Sequence, residues 1–251
     1  MTQSAPNRRP KPPVPVPTGP VQHVVIIVKE NHTFDNYFGR FPGVEGDGTL
    51  PDAPNPPLSD HTHTHEAWLA RASGASKQQY GEKDIPAYWA YARQYGICDH
   101  YFTDVAGPST PNHLMLITAA SPIVNNPHRS DPKNLRLPYN LPSLPTLLEK
   151  GGFSWGNYGG YAFKDITALK SKPNNKTSQQ FAVDASAGKL PTVSWVYAPE
   201  IANNPNPLSE HPTGNITDGM NWTVQQVNAL VKGGLWPHSV IFITWDDWGG
   251  W

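Results

Sequence analysis

The sequence contains a single cysteine, Cys98, and this excludes an intrachain disulfide and any metal site built from several thiolates. Free cysteines are among the most buried residue types, so we expect Cys98 to be a small buried apolar residue and not a nucleophile. The scarcity of cysteine fits a cytoplasmic protein and a disulfide-free exported enzyme equally well.

Charge is scarce as well. Charged residues make up 16% of the 251 positions and the formal net charge is −1, which gives no electrostatic reason to expect binding to nucleic acid or to an anionic membrane surface. No apolar run approaches the roughly 20 residues that a transmembrane helix needs. The first 20 residues have no hydrophobic signal core either.

Proline and glycine are abundant instead, with 28 and 21 residues, and nine tryptophans accompany them. This composition is typical of a folded domain with many turns and long loops. Residues 1–20 are rich in proline and are predicted to form a flexible, extended leader. Residues 21–251 are enough for one large domain with its own core.

Strand and helix patterns alternate along this domain. Apolar runs predict strands at 23–28, 153–160, 192–198 and 239–247. Helical patterns cover 84–96, 110–120, 141–152 and 217–234, the last with Thr217 as a candidate cap and Gly233–Gly234 at its end. Such alternation predicts an α/β fold, in which a mostly parallel sheet carries helices on both faces.

Acidic and amide side chains follow the first and the last predicted strands. Glu30 and Asn31 come after the first strand, and Asp246 and Asp247 end the last one. Because the carboxyl ends of parallel strands share one edge of a sheet, we expect these residues to converge. Such an all-oxygen set suits Ca²⁺, Mg²⁺ or Mn²⁺ better than zinc alone, although carboxylates also bind zinc. The alternative is that the two aspartates form a solvated strand end.

A hydroxyl precedes the predicted helix at 110–120, in the stretch "AGPSTPNH". Ser109 or Thr110 lies beside free backbone N–H groups and the positive end of a helix dipole, an arrangement that favours anions. A hydroxyl at an anion site next to a metal is what phosphoryl transfer through a covalent intermediate needs. Alternatively, either residue is a plain helix cap.

Histidines form a cluster in a long, loop-rich insert at about 40–83. His61, His63 and His65 alternate along "HTHTH" and would share one side of an extended segment. His211 follows Glu210 in "SEHPTG". These side chains are candidates to bind phosphate oxygens or to protonate a leaving group. The alternatives for the insert are an exposed loop or a chance transition-metal site.

Six stretches occur in the order that is typical of a known family: "ENHTFDNYFG", "HTHEAW", "KDIPAYWAYARQYGICDHYF", "GPSTPNHL", "EHP" and "TWDDWGGW". From about His23 onward, the chain resembles the bacterial phosphoesterase family of phosphatidylcholine-type phospholipases C and a related acid phosphatase. The resemblance implies an alkaline phosphatase-like, three-layer α/β/α fold for residues 21–251. Family members continue beyond the last stretch, so the domain is expected to be C-terminally truncated.

The resemblance also implies a role for each matching residue. The nucleophile would be Ser109 and not Thr110, and His211 and His63 would be the catalytic histidines, with His65 as the competing register for His63. His65 and Asn112 are the candidates for binding phosphate. One divalent metal ion, which is Ca²⁺, Mg²⁺, Mn²⁺ or Zn²⁺, would be held by four residues: Glu30, Asn31, Asp246 and Asp247.

The implied activity is metal-dependent hydrolysis of phosphoester bonds through a phosphoserine, in the manner of a phospholipase C. The alternatives are a broad acid phosphatase and a non-catalytic metal-binding domain on the same scaffold. Expected partners are a phospholipid or a small phosphoester, with transient contact to a membrane surface and no nucleic acid. The family implies a secreted or periplasmic protein; because no signal peptide is visible, a cytoplasmic location stays open.

Overall fold

The computed structural model describes residues 19–70, 77–127, 137–199 and 207–251. Nearly all of the predicted proline-rich leader and part of the histidine insert lie outside these ranges. The described residues form one five-stranded sheet in which all pairings are parallel, with the order β3-β2-β4-β1-β5. Its strands are β1 (His23–Lys29), β2 (Trp155–Tyr158), β3 (Asn175–Lys176), β4 (Val193–Tyr197) and β5 (Ser239–Trp245).

Helices connect these strands and cover the sheet. They are α1 (Phe34–Phe38), α2 (His65–Leu69), α3 (Pro86–Gln94), α4 (Ser109–Thr118), α5 (Leu144–Lys150), α6 (Gln180–Ser186) and α7 (Ile216–Lys232). The predicted strands at 23–28, 153–160, 192–198 and 239–247 and the four predicted helices are confirmed. No helix in the described ranges has both the length and the apolar character that crossing a bilayer requires.

The inner strands β2 and β4 are buried throughout, as parallel strands usually are, whereas the edge strand β5 is half-buried and exposes Phe242. Val25 and Ile27 of β1 pack with α6 and α7, through a cluster that contains Phe181 and Leu230. Val28 belongs to a second cluster, which includes residues of α4. Helices therefore lie on both sides of the sheet, and the predicted three-layer α/β/α architecture is confirmed.

Three local features differ from the sequence predictions. Helix α7 is capped by Asn215, whose side chain accepts hydrogen bonds from the N–H groups of Thr217 and Asp218, so the prediction of Thr217 as the cap is wrong. Cys98 is exposed, so the prediction of a buried cysteine is wrong too. Helices α1, α2 and α6 and the two-residue β3 were not predicted, since each is too short to show a full period of apolar residues.

Candidate active site

Strands β1 and β5 end side by side, and their last residues hold each other in register. Lys29 lies opposite Trp245. The Asp246 N–H donates to the Lys29 carbonyl at 3.0 Å, and the Asn31 N–H donates to Asp246 Oδ1 at 3.0 Å. Asn31 has a left-handed φ of 64°, which turns the chain sharply after Glu30. The predicted convergence of these strand ends is therefore observed.

Ser109 lies between two of the carboxylates. Its Oγ donates to Glu30 Oε2 and to Asp247 Oδ2, both at 3.2 Å. It is the first residue of α4, and the N-cap residue is Pro108, so the capping alternative for Ser109 and Thr110 is wrong. The Thr110 N–H donates to Asn126 Oδ1 at 2.8 Å. Thr110 Oγ1 is 3.1 Å from the hydroxyl of Tyr161 instead. The two candidate hydroxyls therefore have different partners, carboxylates for Ser109 and a phenol for Thr110.

His113 is a site residue that the sequence analysis missed. It lies one turn after Ser109 on α4, and its Nε2 is 3.3 Å from Glu30 Oε1 and 3.5 Å from Asp246 Oδ2. One ligand atom from each of Glu30, His113 and Asp246 lies within 4.8 Å of the others. The available signal was the spacing of four residues, which places Ser109 and His113 on one face of a helix.

The donor set fits a divalent cation. Asn31 Oδ1 and Asp246 Oδ2 are buried and accept no hydrogen bond from the described residues. Unsatisfied buried oxygens are unusual in native folds, and a bound ion is one way to satisfy them. His113 offers a nitrogen to this group as well, while the all-oxygen set of Glu30, Asn31, Asp246 and Asp247 stays a prediction. Mixed imidazole and carboxylate donors make zinc and manganese as suitable as the harder cations.

The three carboxyl groups cannot all ionise at ordinary cost without such a cation. Burial raises the pKa of Asp246 to about 7, and the charge of Glu30 adds to this shift. Burial also raises the pKa of Asp247 well above its usual range, with the charges of Asp246 and Glu30 acting in the same direction. Burial opposes ionisation of Glu30 as well, but the hydrogen bond and charge of His113 outweigh it and hold the pKa of Glu30 at about 2.

This ionisation pattern predicts how pH and a divalent cation act together on stability. The ordinary pKa of Asp246 is 3.8, so the metal-free fold keeps a proton there that the unfolded chain releases between pH 4 and 7. The contribution of Asp246 to the free energy of unfolding therefore falls as pH rises, by up to about 1.4 kcal/mol per pH unit. Glu30 acts in the opposite sense and at lower pH. Its contribution to the free energy of unfolding is lost only as pH falls from about 4.5 toward about 2.

A cation replaces the proton, so adding Mn²⁺ or Zn²⁺ to EDTA-treated protein should raise Tm more at pH 8 than at pH 5. Differential scanning fluorimetry at both pH values measures this difference. The comparison of each pH with its own metal-free sample removes the contribution of other titrating groups. Equal increases in Tm at the two pH values would contradict the prediction.

His63 and His211 lie on either side of the Asn31 amide. The Nε2 atom of each is 3.2 Å from Asn31 Nδ2. The Nδ1 atom of each is 2.7 Å from a backbone carbonyl, that of His61 for His63 and that of Pro212 for His211. Because a carbonyl only accepts, Nδ1 carries the proton and Nε2 is turned toward the site. Both predicted catalytic histidines are therefore brought to the metal-ligand candidates.

His65 and Asn112 lie elsewhere, around the loop that precedes Ser109. His65 is the first residue of α2 and not part of an extended segment, so the prediction that it shares one side with His61 and His63 is wrong. Its Nδ1 is 2.6 Å from the Ala106 carbonyl. Asn112 accepts from the Val105 N–H and donates to the carbonyls of 105, 107 and 108. Both side chains hold this loop in place, and phosphate binding by either stays a prediction.

An open cleft lies beside Pro108, the residue that precedes Ser109. Its volume is about 450 Å³, and its walls come from the 60–66 segment and from the loops on both sides of α4. The lining residues are Asp60, His61, Thr62, His63, Thr64, Glu66, Pro108, Asn125 and Asn126. Since His63 and Pro108 are among them, the cleft offers space for a substrate next to Ser109.

The turn after Asp247 is packed against β1 so closely that only glycine fits. Gly249 has a φ of +58°, and a Cβ there would lie 1.9 Å from the Asn31 carbonyl oxygen. Its N–H donates to Asp247 Oδ1 at 2.7 Å. Gly249 therefore lets the segment with the two aspartates lie directly on Asn31.

Gly249→Ala should displace Asn31 from Asp246 and weaken binding of Mn²⁺ or Zn²⁺ at least tenfold, measured by calorimetry. Gly234→Ala is the matched control, because Gly234 has a φ of +73° but open space around it. The control should lose about 1 kcal/mol of stability from the left-handed backbone alone, and Gly249→Ala at least twice as much. Equal metal affinities in the two variants would contradict this reading of the turn.

Comparisons with known proteins agree on one family. The model of the phosphoesterase family matches residues 21–61 and 58–251. The chain is 24% identical to a non-hemolytic phospholipase C of Pseudomonas aeruginosa, over 90% of this chain and 42% of that protein. It is 22% identical to phospholipase C B of Mycobacterium tuberculosis, over 92% of this chain and 59% of that protein. A non-specific phospholipase C4 of Arabidopsis thaliana is 24% identical, over 87% and 42%.

The chain thus spans about half the length of these curated relatives. Every residue of the candidate site, from Glu30 to Asp247, lies within the matched part. The family model covers nearly all of the residues that the structure describes. This protein therefore belongs to the phosphoesterase family.

Proposed function

We propose that the protein hydrolyses phosphoester bonds with Ser109 as the nucleophile. The observation that carries the proposal is the position of Ser109 Oγ, 3.2 Å from carboxylate oxygens of both Glu30 and Asp247 at the start of α4. The positive end of the α4 helix dipole favours the negative charge of a phosphoryl group. The adjoining cleft supplies room for the rest of the substrate.

Five residues would hold a divalent metal ion: Glu30, Asn31, His113, Asp246 and Asp247. When bound, such an ion would neutralise phosphate charge and lower the pKa of the serine hydroxyl. The buried, unsatisfied oxygens of Asn31 and Asp246 support this assignment. The identity of the ion and the number of ions are left to experiment.

The chain's own residues account for the proton movements. Ser109 Oγ attacks phosphorus and gives its proton to a neighbouring carboxylate oxygen as the new P–O bond forms. The bond from phosphorus to the leaving oxygen breaks, and His211 or His63, protonated at Nε2, donates a proton to that oxygen. A water molecule then attacks the phosphorus of the phosphoserine and gives a proton to Nε2 of the same histidine. The P–Oγ bond breaks, Ser109 Oγ takes back the proton held by the carboxylate, and the phosphate product leaves. The tautomers fixed by the Pro212 and His61 carbonyls keep both Nε2 atoms turned inward.

For the substrate, we propose a phospholipid, cleaved between glycerol and phosphate as in a phospholipase C. The support is that the relatives above are named phospholipase C. The protein would then meet its substrate by transient contact with a membrane surface. A broad phosphomonoesterase uses the same nucleophile, so the choice of substrate has to be measured.

The test compares p-nitrophenylphosphorylcholine with p-nitrophenyl phosphate, first with EDTA and then with Mn²⁺ or Zn²⁺ restored. Metal-dependent release of p-nitrophenol from the diester supports phospholipase-type cleavage. A preference for p-nitrophenyl phosphate would contradict the proposed phospholipid substrate and would indicate a phosphomonoesterase. No turnover of either compound by folded, metal-loaded protein would overturn the enzymatic proposal in favour of a non-catalytic metal-binding domain.

A further inference from the structure

Three segments that end in site residues meet again in one buried cluster behind the site. Lys29 precedes Glu30, Glu210 precedes His211, and Trp245 precedes Asp246. Among these three preceding residues, the Glu210 side chain contacts those of both Lys29 and Trp245. None of them belongs to the metal-ligand candidates or to the proton-transfer residues of the proposed mechanism.

Glu210 is the centre of this cluster. Its side chain is fully buried, and each carboxylate oxygen has two partners. Oε1 accepts from the Tyr88 hydroxyl at 2.6 Å and lies 3.2 Å from Lys29 Nζ. Oε2 accepts from the Tyr37 hydroxyl and from Trp245 Nε1, both at 2.9 Å. The carboxylate is therefore held from four directions by elements that lead to the site.

The backbone of Glu210 is tied to the site as well. Its carbonyl is 2.8 Å from Nε2 of His32, the residue that follows Asn31. Its φ is 73°, a left-handed value that is uncommon for a residue with a side chain. This turn directs the neighbouring His211 toward Asn31 while the Glu210 side chain goes into the interior.

Lys29 completes the pair. Its side chain is fully buried, and Nζ donates to the carbonyls of Leu208 at 2.6 Å and Gly219 at 3.1 Å as well as contacting Glu210. Lys29 thus fastens the 208–210 segment to the end of β1. Burial lowers the pKa of Lys29, and the Glu210 carboxylate opposes this shift.

Helix α7 makes room for the pair. Gly219 lies inside this helix, where glycine is unfavourable. A Cβ at this position would be 2.2 Å from the Glu210 side chain. A buried ion pair is a weak source of stability, since apolar residues of similar volume often stabilise a fold as well or better. The pair, its saturated hydrogen bonds and the glycine beside it point instead to a requirement for one fixed geometry.

We propose that Glu210 is a positioning residue, which together with Lys29 fixes His211 and the strand-end ligands Glu30, Asn31 and Asp246 relative to one another. The inference rests on the proposed function for the role of His211, but its metal-binding part is independent of turnover. Glu210 itself touches neither the substrate nor the metal.

Two variants separate positioning from simple stability. Glu210→Gln keeps the shape of the side chain but places an amide among donors and leaves the Lys29 charge unbalanced. Lys29→Met/Glu210→Leu removes both charges and fills the space with apolar groups. We expect Glu210→Gln to have a lower Tm, a lower kcat and a lower metal affinity than the wild type. We expect Lys29→Met/Glu210→Leu to regain the wild-type Tm but to keep the low kcat and the low metal affinity.

The measurements are Tm, calorimetric Kd for Mn²⁺ and for Zn²⁺, and kcat and KM with p-nitrophenylphosphorylcholine, all at a temperature well below Tm. We expect metal affinity to fall at least tenfold in both variants and kcat to fall at least thirtyfold, with KM changed less than threefold. The control for lost stability is Val227→Ala. Val227 is a residue of α7 that packs in the core cluster, and this variant should keep the wild-type Kd and kcat.

A double variant with wild-type metal affinity and kcat would overturn the proposal, because stability alone would then explain the pair. A loss of affinity equal to that of Val227→Ala would overturn it too. If the wild type shows no turnover at all, the proposed function fails, whereas the metal Kd of the variants still decides whether Glu210 positions the ligands.

Discussion

Ser109→Ala is expected to lower kcat/KM for the preferred p-nitrophenyl ester by about a thousandfold or more, which corresponds to roughly 4 kcal/mol of transition-state stabilisation. The substitution removes only Oγ, whose hydrogen bonds go to Glu30 and Asp247. Since Ser109 is the first residue of α4 and does not cap it, the helix should form as before. Metal affinity should stay within a few fold of the wild-type value.

Thr110→Ala is the matched control for this experiment. Thr110 carries the neighbouring hydroxyl, which contacts Tyr161 and not a carboxylate. Its loss should change kcat/KM only a few fold. Acid quenching of the wild-type reaction followed by mass spectrometry should find the transferred group on the peptide with Ser109, which is phosphorylcholine from the diester or phosphate from the monoester. Full activity of Ser109→Ala, or phosphate on another residue, would move the nucleophile elsewhere.

Asp246→Asn should have the second largest effect, a loss of at least about a hundredfold in affinity for Mn²⁺ or Zn²⁺. Asp246 Oδ1 is already occupied, since it accepts from the N–H groups of Asn31 and Asp247. Oδ2 is the buried oxygen that accepts no hydrogen bond from the described residues. An amide nitrogen in the Oδ2 position donates hydrogens and cannot bind a cation.

The same variant should be more stable than the wild type when both are metal-free at pH 8. Burial and the charge of Glu30 disfavour the ionised Asp246, and asparagine has no charge to lose. Tm in EDTA should therefore rise while the affinity for Mn²⁺ or Zn²⁺ falls, so that Tm and the calorimetric Kd both increase. Glu66→Gln is the control, because Glu66 lines the cleft but is not in the metal-ligand group. Unchanged affinity in Asp246→Asn would contradict the assignment of this ligand.

The sequence predicted the parts of the molecule that local patterns determine. Continuous apolar runs located β1 and β5, and acids directly after them located Glu30 and Asp246, because parallel strands end at a shared edge. Short elements such as α2 were missed, since their beginning depends on a single cap, Thr64, and not on a periodic pattern.

The supporting part of the site was beyond sequence reasoning for a different reason. His113 follows Ser109 by four residues, but its place in the site depends on the fold, which brings this face of α4 to Glu30 and Asp246. Lys29 and Glu210 look like ordinary surface charges in the sequence. Their burial follows from the packing of α7 and the tyrosines around them, which involves long-range contacts.

The two strands that carry the carboxylates are neighbours in the sheet but are far apart along the chain. The hydrogen bond from Asn31 to Asp246 joins positions 215 residues apart. The ribosome therefore makes Glu30 long before its partner exists, and no cation can be captured in this site until β5 has paired with β1. A cation bound there would link positions that are far apart along the chain. The pairing of β1 with β5 has by then already overcome the entropic cost of closing that loop. Binding of the proposed cation would thus be a late step of maturation, because it requires that β1 and β5 have already paired.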